Sequence, residues 1–295
     1  MTDSANDAVK NPFSKIAVLG GGTMGSGIAQ VCAMSGAEVV LRDIDEPAVE
    51  RGMTTIQRFL DKGVERGKVD PGDRATTLER ISTTTDLGEA CAKADLVIEA
   101  VPEKLDLKRS VFQDVAAHAS ESAVLATNTS SLALSKVFEG LPNQARCIGT
   151  HFFNPVPIMA LLEIVRPDAC SDETLQRVRD FGAAIGKEPI VVRDVPGFAT
   201  SRLGVCLGLE AIRMVESEVA SPEDIDKALV LGYRHPMGPL RLTDLVGLDV
   251  RLAIADYLRE ELNSPAFEAP QLMRDMVAEG KLGQKSGQGF YEWSS

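Results

Sequence analysis

The chain has 295 residues, of which 44% are hydrophobic and 25% charged, as in a globular protein of one large domain or two ordinary ones. The sequence contains no apolar run near the roughly 20 residues that a membrane span needs. The formal net charge of −12 excludes nucleic acid and anionic membranes as expected partners. Five scattered cysteines without a CxxC pair argue against disulfides or a zinc site, and they favour a cytoplasmic location.

Strands and helices alternate through the first two thirds of the chain. Residues 1–12 are expected to be a flexible polar tail, not a secretory signal. Apolar runs then predict strands at 15–20, 38–43, 81–87, 95–101, 123–129, 146–153, 160–165 and 188–194. Helical spacing predicts helices at 26–36, 47–67, 104–119 and 172–186. This order predicts an α/β domain over 13–194, with a Rossmann-type, mostly parallel sheet and helices on both faces.

The pattern changes after the segment VPGF, residues 195–198. Helical periodicity alone continues, and it predicts helices at 200–218, 222–231, 240–262 and 268–279. The Pro–Gly pair therefore predicts a domain boundary, followed by an all-helical domain over 195–295. Because this second domain is small and has a continuous apolar stripe, we expect its helices to form a homodimer.

The first strand ends in a glycine-rich loop, GGGTMG, which has the spacing Gly20-x-Gly22-x-x-Gly25. Glycines between a strand and a helix permit a tight turn and close approach of a pyrophosphate to the helix N-terminus. The second strand ends in Asp43, whose carboxylate suits a ribose diol and would repel a 2′-phosphate. The loop, including Thr23 and Met24, is therefore predicted to bind NAD. A glycine turn without a ligand is the alternative.

His151 is the strongest candidate for proton transfer among three histidines, because it ends a strand of the sheet domain. Oxidation of an alcohol needs a base for the hydroxyl proton, and imidazole suits that task. Glu163 interrupts an apolar strand run, where an unpaired carboxylate would be costly, so it is the expected partner. Phe152 and Phe153 are expected to wall the site. A packed core histidine without a catalytic role is the alternative.

Several segments together resemble the 3-hydroxyacyl-CoA dehydrogenase family, and short-chain bacterial 3-hydroxybutyryl-CoA dehydrogenases in particular. The resemblance extends over residues 14–293 and rests on GGGTMGSGIAQ, ADLVIEAVPE, TNTSSL, THFFNPVPIMALLEIV, DVPGF, HPMGP and LGQKSGQGFY. It implies an NAD-dependent enzyme in which His151 is the general base, Glu163 orients it, and Ser130 bonds the reacting oxygen. The resemblance also implies cofactor contacts for Glu103, Lys108 and Lys285.

The chain departs from the family pattern at two positions. Ser201 stands where PGFxxNR motifs have asparagine, so it is expected to contact the substrate through a shorter side chain. Phe59 stands where some members have a serine that contacts CoA. Arg66 keeps a basic charge nearby, so it is a candidate phosphate contact. A solvated helix face is the alternative for Arg66 and for its neighbours Lys62 and Lys68.

These observations predict reversible oxidation of an (S)-3-hydroxyacyl-CoA, with an acyl-CoA as the substrate and NAD as the acceptor. Two alternatives remain open from the sequence. One is a related dehydrogenase that acts on a free hydroxy acid, such as a sugar acid. The other is a dinucleotide-binding protein without catalysis, because a fold alone does not determine function.

Overall fold

The computed structural model describes residues 10–293, which form two compact units, one ending at Asp194 and the other beginning at Val195. Most of the predicted tail lies outside the described residues. Asn11, within the predicted tail, already has defined contacts: its side chain donates to Ser35 Oγ at 2.8 Å and accepts from Phe13 N at 2.9 Å.

The first unit is built on one eight-stranded sheet with the strand order β3-β2-β1-β4-β5-β6-β7-β8. All neighbouring strands are parallel except β6 and β7, which are antiparallel. The strands are β1 (Lys15–Leu19), β2 (Glu38–Arg42), β3 (Ile81–Thr84), β4 (Leu96–Glu99), β5 (Val124–Thr127), β6 (Cys147–Phe152), β7 (Leu161–Arg166) and β8 (Glu188–Arg193). The predicted mostly parallel, Rossmann-type sheet is confirmed.

Seven helices accompany the sheet in the described part of this unit. They are α1 (Thr23–Met34), α2 (Glu46–Glu65), α3 (Pro71–Glu79), α4 (Leu87–Cys91), α5 (Leu105–His118), α6 (Leu134–Val137) and α7 (Asp172–Ala184). The sequence pattern predicted the four long helices and missed α3, α4 and α6, which are short. The central strands β4 and β5 are buried along their whole length, which explains their continuous apolar sequences.

The second unit is helical in its described part, as predicted. Its helices are α8 (Thr200–Glu216), α9 (Pro222–Tyr233), α10 (Pro239–Val246), α11 (Leu248–Leu262) and α12 (Gln271–Ala278). The prediction of one helix over 240–262 was wrong, because Gly247 interrupts the helix and separates α10 from α11. This residue has a φ of +103°, outside the helical region, which glycine adopts without strain.

Asp244 on α10 holds the end of the chain onto the second unit. Its carboxylate is fully buried and accepts bonds from Phe290 N, Tyr291 N and Trp293 Nε1, each at 2.9 Å. An ionised carboxylate suits this position because each of the three partners is a donor. The sequence LGQKSGQGFY therefore folds back onto α10 through one buried side chain.

Replacing Asp244 by asparagine should destabilise this unit by about 2–4 kcal/mol, because the amide NH₂ would face a donor and the remaining bonds lose their charge. Urea denaturation followed by the fluorescence of Trp293, the single tryptophan, measures the change. The control is Asp256→Asn, which breaks a half-exposed pair with Arg274 and should cost less than about 1 kcal/mol. Equal losses in the two variants would contradict this assignment.

Within residues 10–293, no helix combines the length and the apolar character required to cross a bilayer. In the same range no cluster of three His, Cys, Asp or Glu side chains is arranged to hold a metal ion.

Candidate active site

The glycine loop lies where β1 passes into α1, and the strand order reverses between β1 and β4 at this point. Gly20 has a φ of +106°, and a Cβ on Gly25 would lie 1.7 Å from the carbonyl oxygen of Gly20. Both positions therefore require glycine. Gly22 is the N-cap of α1, and no side chain caps the helix there. The first N–H groups of α1 are thus available to an anion.

Asp43 lies beside this loop at the end of β2. One carboxylate oxygen accepts from Gly21 N at 2.6 Å and the other accepts from Ile44 N at 2.7 Å. Arg42, next to it, donates through Nε to Thr85 O at 3.1 Å. The uncapped helix, the glycine turn and a carboxylate at the end of the second strand fit an NAD molecule. Hydrogen bonds from its ribose to Asp43 stay a prediction.

Gly22 provides a direct test of this fit. A Cβ on Gly22 would meet no protein atom within 4 Å, and its φ of −67° is open to any residue. Gly22→Ala should therefore leave the urea midpoint unchanged, but it should weaken NADH binding about tenfold or more because the methyl group would meet the pyrophosphate. NADH fluorescence titration measures the affinity.

Gly25→Ala is the matched variant for that experiment. Because its Cβ would overlap Gly20 O, this variant should lose both stability and NADH affinity. Wild-type NADH affinity in Gly22→Ala would show that the pyrophosphate lies elsewhere.

His151 and Glu163 form a buried pair across the only antiparallel strand pair among the described strands. They lie directly opposite each other in the β6–β7 register. His151 Nδ1 is 2.8 Å from Glu163 Oε2, and the two side chains are 9% and 0% exposed. A carboxylate only accepts hydrogen bonds, so Nδ1 carries a proton, and in the neutral imidazole Nε2 then carries the lone pair. The predicted partnership of these two residues is present in the structure.

The two phenylalanines after His151 have different surroundings. Phe153 lies against the imidazole, with ring centroids 4.4 Å apart. Phe152 is 2% exposed and belongs to the hydrophobic core of the sheet. The expectation that both wall the site was wrong for Phe152, because successive side chains of a strand point to opposite faces.

Glu103 organises the loop that contains Ser130. Its Oε1 accepts bonds from Thr129 Oγ1 at 2.5 Å, Ser130 N at 2.9 Å and Ser130 Oγ at 3.3 Å. Its Oε2 lies 3.2 Å from Lys108 Nζ. The sequence singled out Glu103, Lys108 and Ser130, and the structure brings them together in one network. Direct contacts of Glu103 and Lys108 with the cofactor stay predictions.

A second buried acid, Glu99, contacts Lys108 of this network and was missed by sequence reasoning. Glu99 is 0% exposed and lies 2.7 Å from the Nζ of Lys108, which is 1% exposed. Thr127 Oγ1 and Val101 N also donate to Glu99, each at 2.7 Å. A buried ion pair needs such extra bonds to offset its desolvation. The signal was an acidic residue in an apolar run, at the end of the strand for Glu99 and within the strand for Glu163.

Two further polar side chains, also missed, tie the Ser130 loop to its neighbours. Asn128 Oδ1 accepts from Phe152 N at 2.9 Å, which joins the ends of β5 and β6. Asp194, after β8, accepts from Leu134 N at 2.7 Å and from Ser135 N at 2.8 Å. The loop of Ser130 and the strand of His151 are therefore held at the same edge of the sheet.

The remaining candidates come from other segments of the chain. Ser201 is in the first turn of α8, and Lys285 Nζ bonds Asp249 at 2.6 Å; both belong to the second unit. Arg66 follows the last residue of α2 and is exposed. Phe59, on the same helix, borders a 60 Å³ cavity beside Asn154 and Pro155. Roles for Ser201, Lys285 and Arg66 stay predictions.

A glycine loop at the crossover of a parallel sheet, with a histidine–carboxylate pair at the sheet edge, defines an NAD-linked dehydrogenase class. Residues 15–195 match the family model described as 3-hydroxyacyl-CoA dehydrogenase, NAD binding domain, and residues 197–293 match that of the C-terminal domain. The chain therefore belongs to the 3-hydroxyacyl-CoA dehydrogenase family. The predicted family, enzyme class and NAD cofactor are confirmed.

Individual relatives are similar in sequence to this chain along nearly its whole length. A probable 3-hydroxyacyl-CoA dehydrogenase of Caenorhabditis elegans is 42% identical, over 98% of this chain and 99% of that protein. The crystal structure of Mycobacterium tuberculosis FadB2 superposes with a TM-score of 0.93 and 41% sequence identity, covering 96% of this chain and 99% of that one. The (S)-3-hydroxybutyryl-CoA dehydrogenase of Ralstonia eutropha is 40% identical with a TM-score of 0.92, covering 96% and 100%.

Proposed function

We propose that the protein oxidises (S)-3-hydroxyacyl-CoA to 3-oxoacyl-CoA reversibly, with 3-hydroxybutyryl-CoA as its preferred substrate. The observation that carries the proposal is the 2.8 Å contact between His151 Nδ1 and the buried carboxylate of Glu163. The short acyl chain rests on relatives named as 3-hydroxybutyryl-CoA dehydrogenases, one of which, from Mycobacterium tuberculosis, is 41% identical over 97% of this chain.

In this proposal His151 is the general base. Its Nε2 accepts the proton of the 3-hydroxyl group, and the imidazolium that forms is stabilised by the negative charge of Glu163 through Nδ1–H. NAD, when bound, accepts the hydride from C3. In the reverse direction His151 returns the same proton to the oxygen of the 3-oxo group.

Ser130 is proposed to bond the reacting oxygen through its hydroxyl group. Glu103 supports this role because it bonds both the N–H and the hydroxyl of Ser130. The carboxylate thus sets the direction in which the serine side chain points. Further contacts are proposed for Arg66 with a CoA phosphate, for Ser201 with the substrate and for Lys285 with the cofactor.

A spectrophotometric assay tests the proposal. Purified protein with NAD and (S)-3-hydroxybutyryl-CoA should produce NADH, whereas free 3-hydroxybutyrate should give little or none. Free CoA should inhibit competitively, because only a thioester enzyme recognises the nucleotide end of the substrate. Turnover of the free acid without inhibition by CoA would instead favour the hydroxy-acid alternative.

The second unit is proposed to form a homodimer through its helices. The proposal is supported by large apolar side chains that are exposed to solvent in the single chain. Among them are Leu203, Leu231 and Tyr233, with exposed fractions of 66%, 75% and 78%. Exposure of this kind on neighbouring helices is typical of an interface. Sedimentation velocity at micromolar protein should give twice the mass of one chain, and a compact monomer would refute the proposal.

A cytoplasmic location is proposed from the cysteines. All five are free thiols, and four of them are buried. Free thiols persist in a reducing compartment.

A further inference from the structure

A buried lysine holds the turn that joins the strands of His151 and Glu163. Lys187, between α7 and β8, is 9% exposed. Its Nζ donates to Val156 O at 2.5 Å and to Met159 O at 2.8 Å. No ion pair among residues 10–293 includes this lysine. Burial lowers the pKa of Lys187, because desolvation disfavours the charged amine, and two backbone carbonyls are its hydrogen-bond partners.

Both of these carbonyl groups belong to the β6–β7 turn, residues 153–160. Within the turn, Pro155 O accepts from Ile158 N at 2.9 Å and from Met159 N at 3.0 Å. Ala160 O accepts from Glu188 N at 2.7 Å. Lys187, through its side chain, and Glu188, through its backbone N–H, therefore bond three carbonyl groups of the turn. Val156 is 2% exposed, so its carbonyl has little access to water as a substitute partner.

The turn also packs against the helix that follows the glycine loop. A Cβ on Gly27 of α1 would lie 2.9 Å from Cβ of Val156, so the contact leaves no space for a larger residue. The β6–β7 turn is thus held both by packing against α1 and by the hydrogen bonds from Lys187. Removing the lysine side chain removes the second of these two sets of contacts.

The turn matters because it connects the two strands that bring His151 opposite Glu163. Successive residues of a strand are about 3.4 Å apart. A shift of either strand by a fraction of that distance would therefore lengthen the 2.8 Å contact between His151 Nδ1 and Glu163 Oε2 beyond hydrogen-bond length. We infer that Lys187 is a positioning residue for the reaction, which keeps the imidazole of His151 against Glu163 by holding the β6–β7 turn. This inference rests on the proposed role of His151 as the general base.

The first test compares the kinetics of Lys187→Met with those of Lys187→Arg. Methionine keeps the length of the side chain and removes every donor, whereas arginine keeps a cation with several N–H groups. Lys187→Met should lower kcat about tenfold to a hundredfold, with KM for 3-hydroxybutyryl-CoA and Kd for NADH little changed. Lys187→Arg should recover part of the loss. The control is Lys227→Met, which replaces a lysine that is 65% exposed.

The second test observes the imidazole directly and does not depend on activity. The chain has three histidines, so His118→Gln and His235→Gln variants assign the ring signals in ¹⁵N-histidine NMR spectra. Lys187→Met should move the His151 signal and leave those of His118 and His235 in place. A residue needed only for stability would lower the melting temperature without this selective shift. Should Lys187→Met fail to fold, Lys187→Gln, which keeps one donor group, takes its place.

The outcomes separate this inference from the proposed function. An unchanged His151 signal in a folded Lys187→Met variant would overturn the inference, whatever its activity. Wild-type kcat in that variant, while His151 variants are inactive, would also overturn it. Full activity of His151 variants would instead refute the proposed role of His151, and the NMR result would then report only whether Lys187 positions the ring.

Discussion

His151→Gln should lower kcat for 3-hydroxybutyryl-CoA by about 10²- to 10⁴-fold, the contribution that a general base makes. Glutamine is chosen over alanine because its NH₂ group can still donate to the buried carboxylate of Glu163, which is 0% exposed. An alanine would leave that carboxylate without this partner and would confuse lost stability with lost catalysis. Initial rates of NADH formation at saturating NAD measure the effect.

The matched control is His118→Gln. His118 lies at the end of α5 and is exposed, with Nδ1 2.8 Å from Asp114 O. This variant should keep the wild-type kcat. NADH affinity should be unchanged in both variants, because neither histidine belongs to the glycine loop. A His151→Gln enzyme that keeps more than a tenth of the wild-type kcat would contradict the proposed mechanism.

The sequence predicted the sheet and its glycine loop because both depend on local patterns. Buried parallel strands need continuous apolar runs, and the loop needs glycine at particular positions for steric reasons. Glu163 could be found in the same way, since a carboxylate within an apolar strand requires a partner. Glu99 carries the same signal at the end of β4, and it too has a buried partner.

Other parts of the site depend on contacts that no local pattern reveals. Lys187 bonds backbone carbonyls of residues 31 and 28 positions earlier in the chain. A lysine after a helix C-terminus usually lies in water, and any residue could supply those carbonyls. Asn128 likewise bonds a backbone N–H on a neighbouring strand. Only the assembled sheet brings such groups together, so sequence patterns cannot predict these contacts.

The break between α10 and α11 was missed for a different reason. The apolar spacing continues through Gly247, so periodicity alone predicts an uninterrupted helix over 240–262. The backbone of Gly247 adopts a φ of +103°, which ends one helix and starts the next. A single glycine within a periodic run does not distinguish a tolerated helix residue from a break. The predicted helical content was right, and the direction of the chain after Gly247 was not predictable.

Two carboxylates with different partners support the chemistry at one edge of the sheet. Glu103 bonds the loop of Ser130 and lies near Lys108, whereas Glu163 bonds His151 within the sheet. The first carboxylate positions the hydroxyl group of Ser130, and the second stabilises a base that becomes charged. Loss of the second should therefore change the protonation of the imidazole itself.

Glu163→Gln should lower kcat by about 10²- to 10⁴-fold, because the amide has nearly the shape of the carboxylate but no negative charge. If its oxygen faces Nδ1, the tautomer is kept and the imidazolium loses its stabilising charge. If its NH₂ group faces Nδ1, the ring proton moves to Nε2, where the lone pair is needed. NADH formation measures the loss, and ¹⁵N spectra of the ring identify which nitrogen carries the proton.

Glu188→Gln is the control for this variant, since it removes an exposed carboxylate from the neighbouring strand β8. It should keep the wild-type kcat, and both variants should bind NADH as the wild type does. The free energy of unfolding should distinguish Glu163→Gln, which keeps a hydrogen-bonding partner for His151, from Glu163→Ala, which leaves a cavity and an unsatisfied ring nitrogen. A Glu163→Gln enzyme with wild-type kcat and an unchanged tautomer would show that the charge of this carboxylate has no part in the reaction.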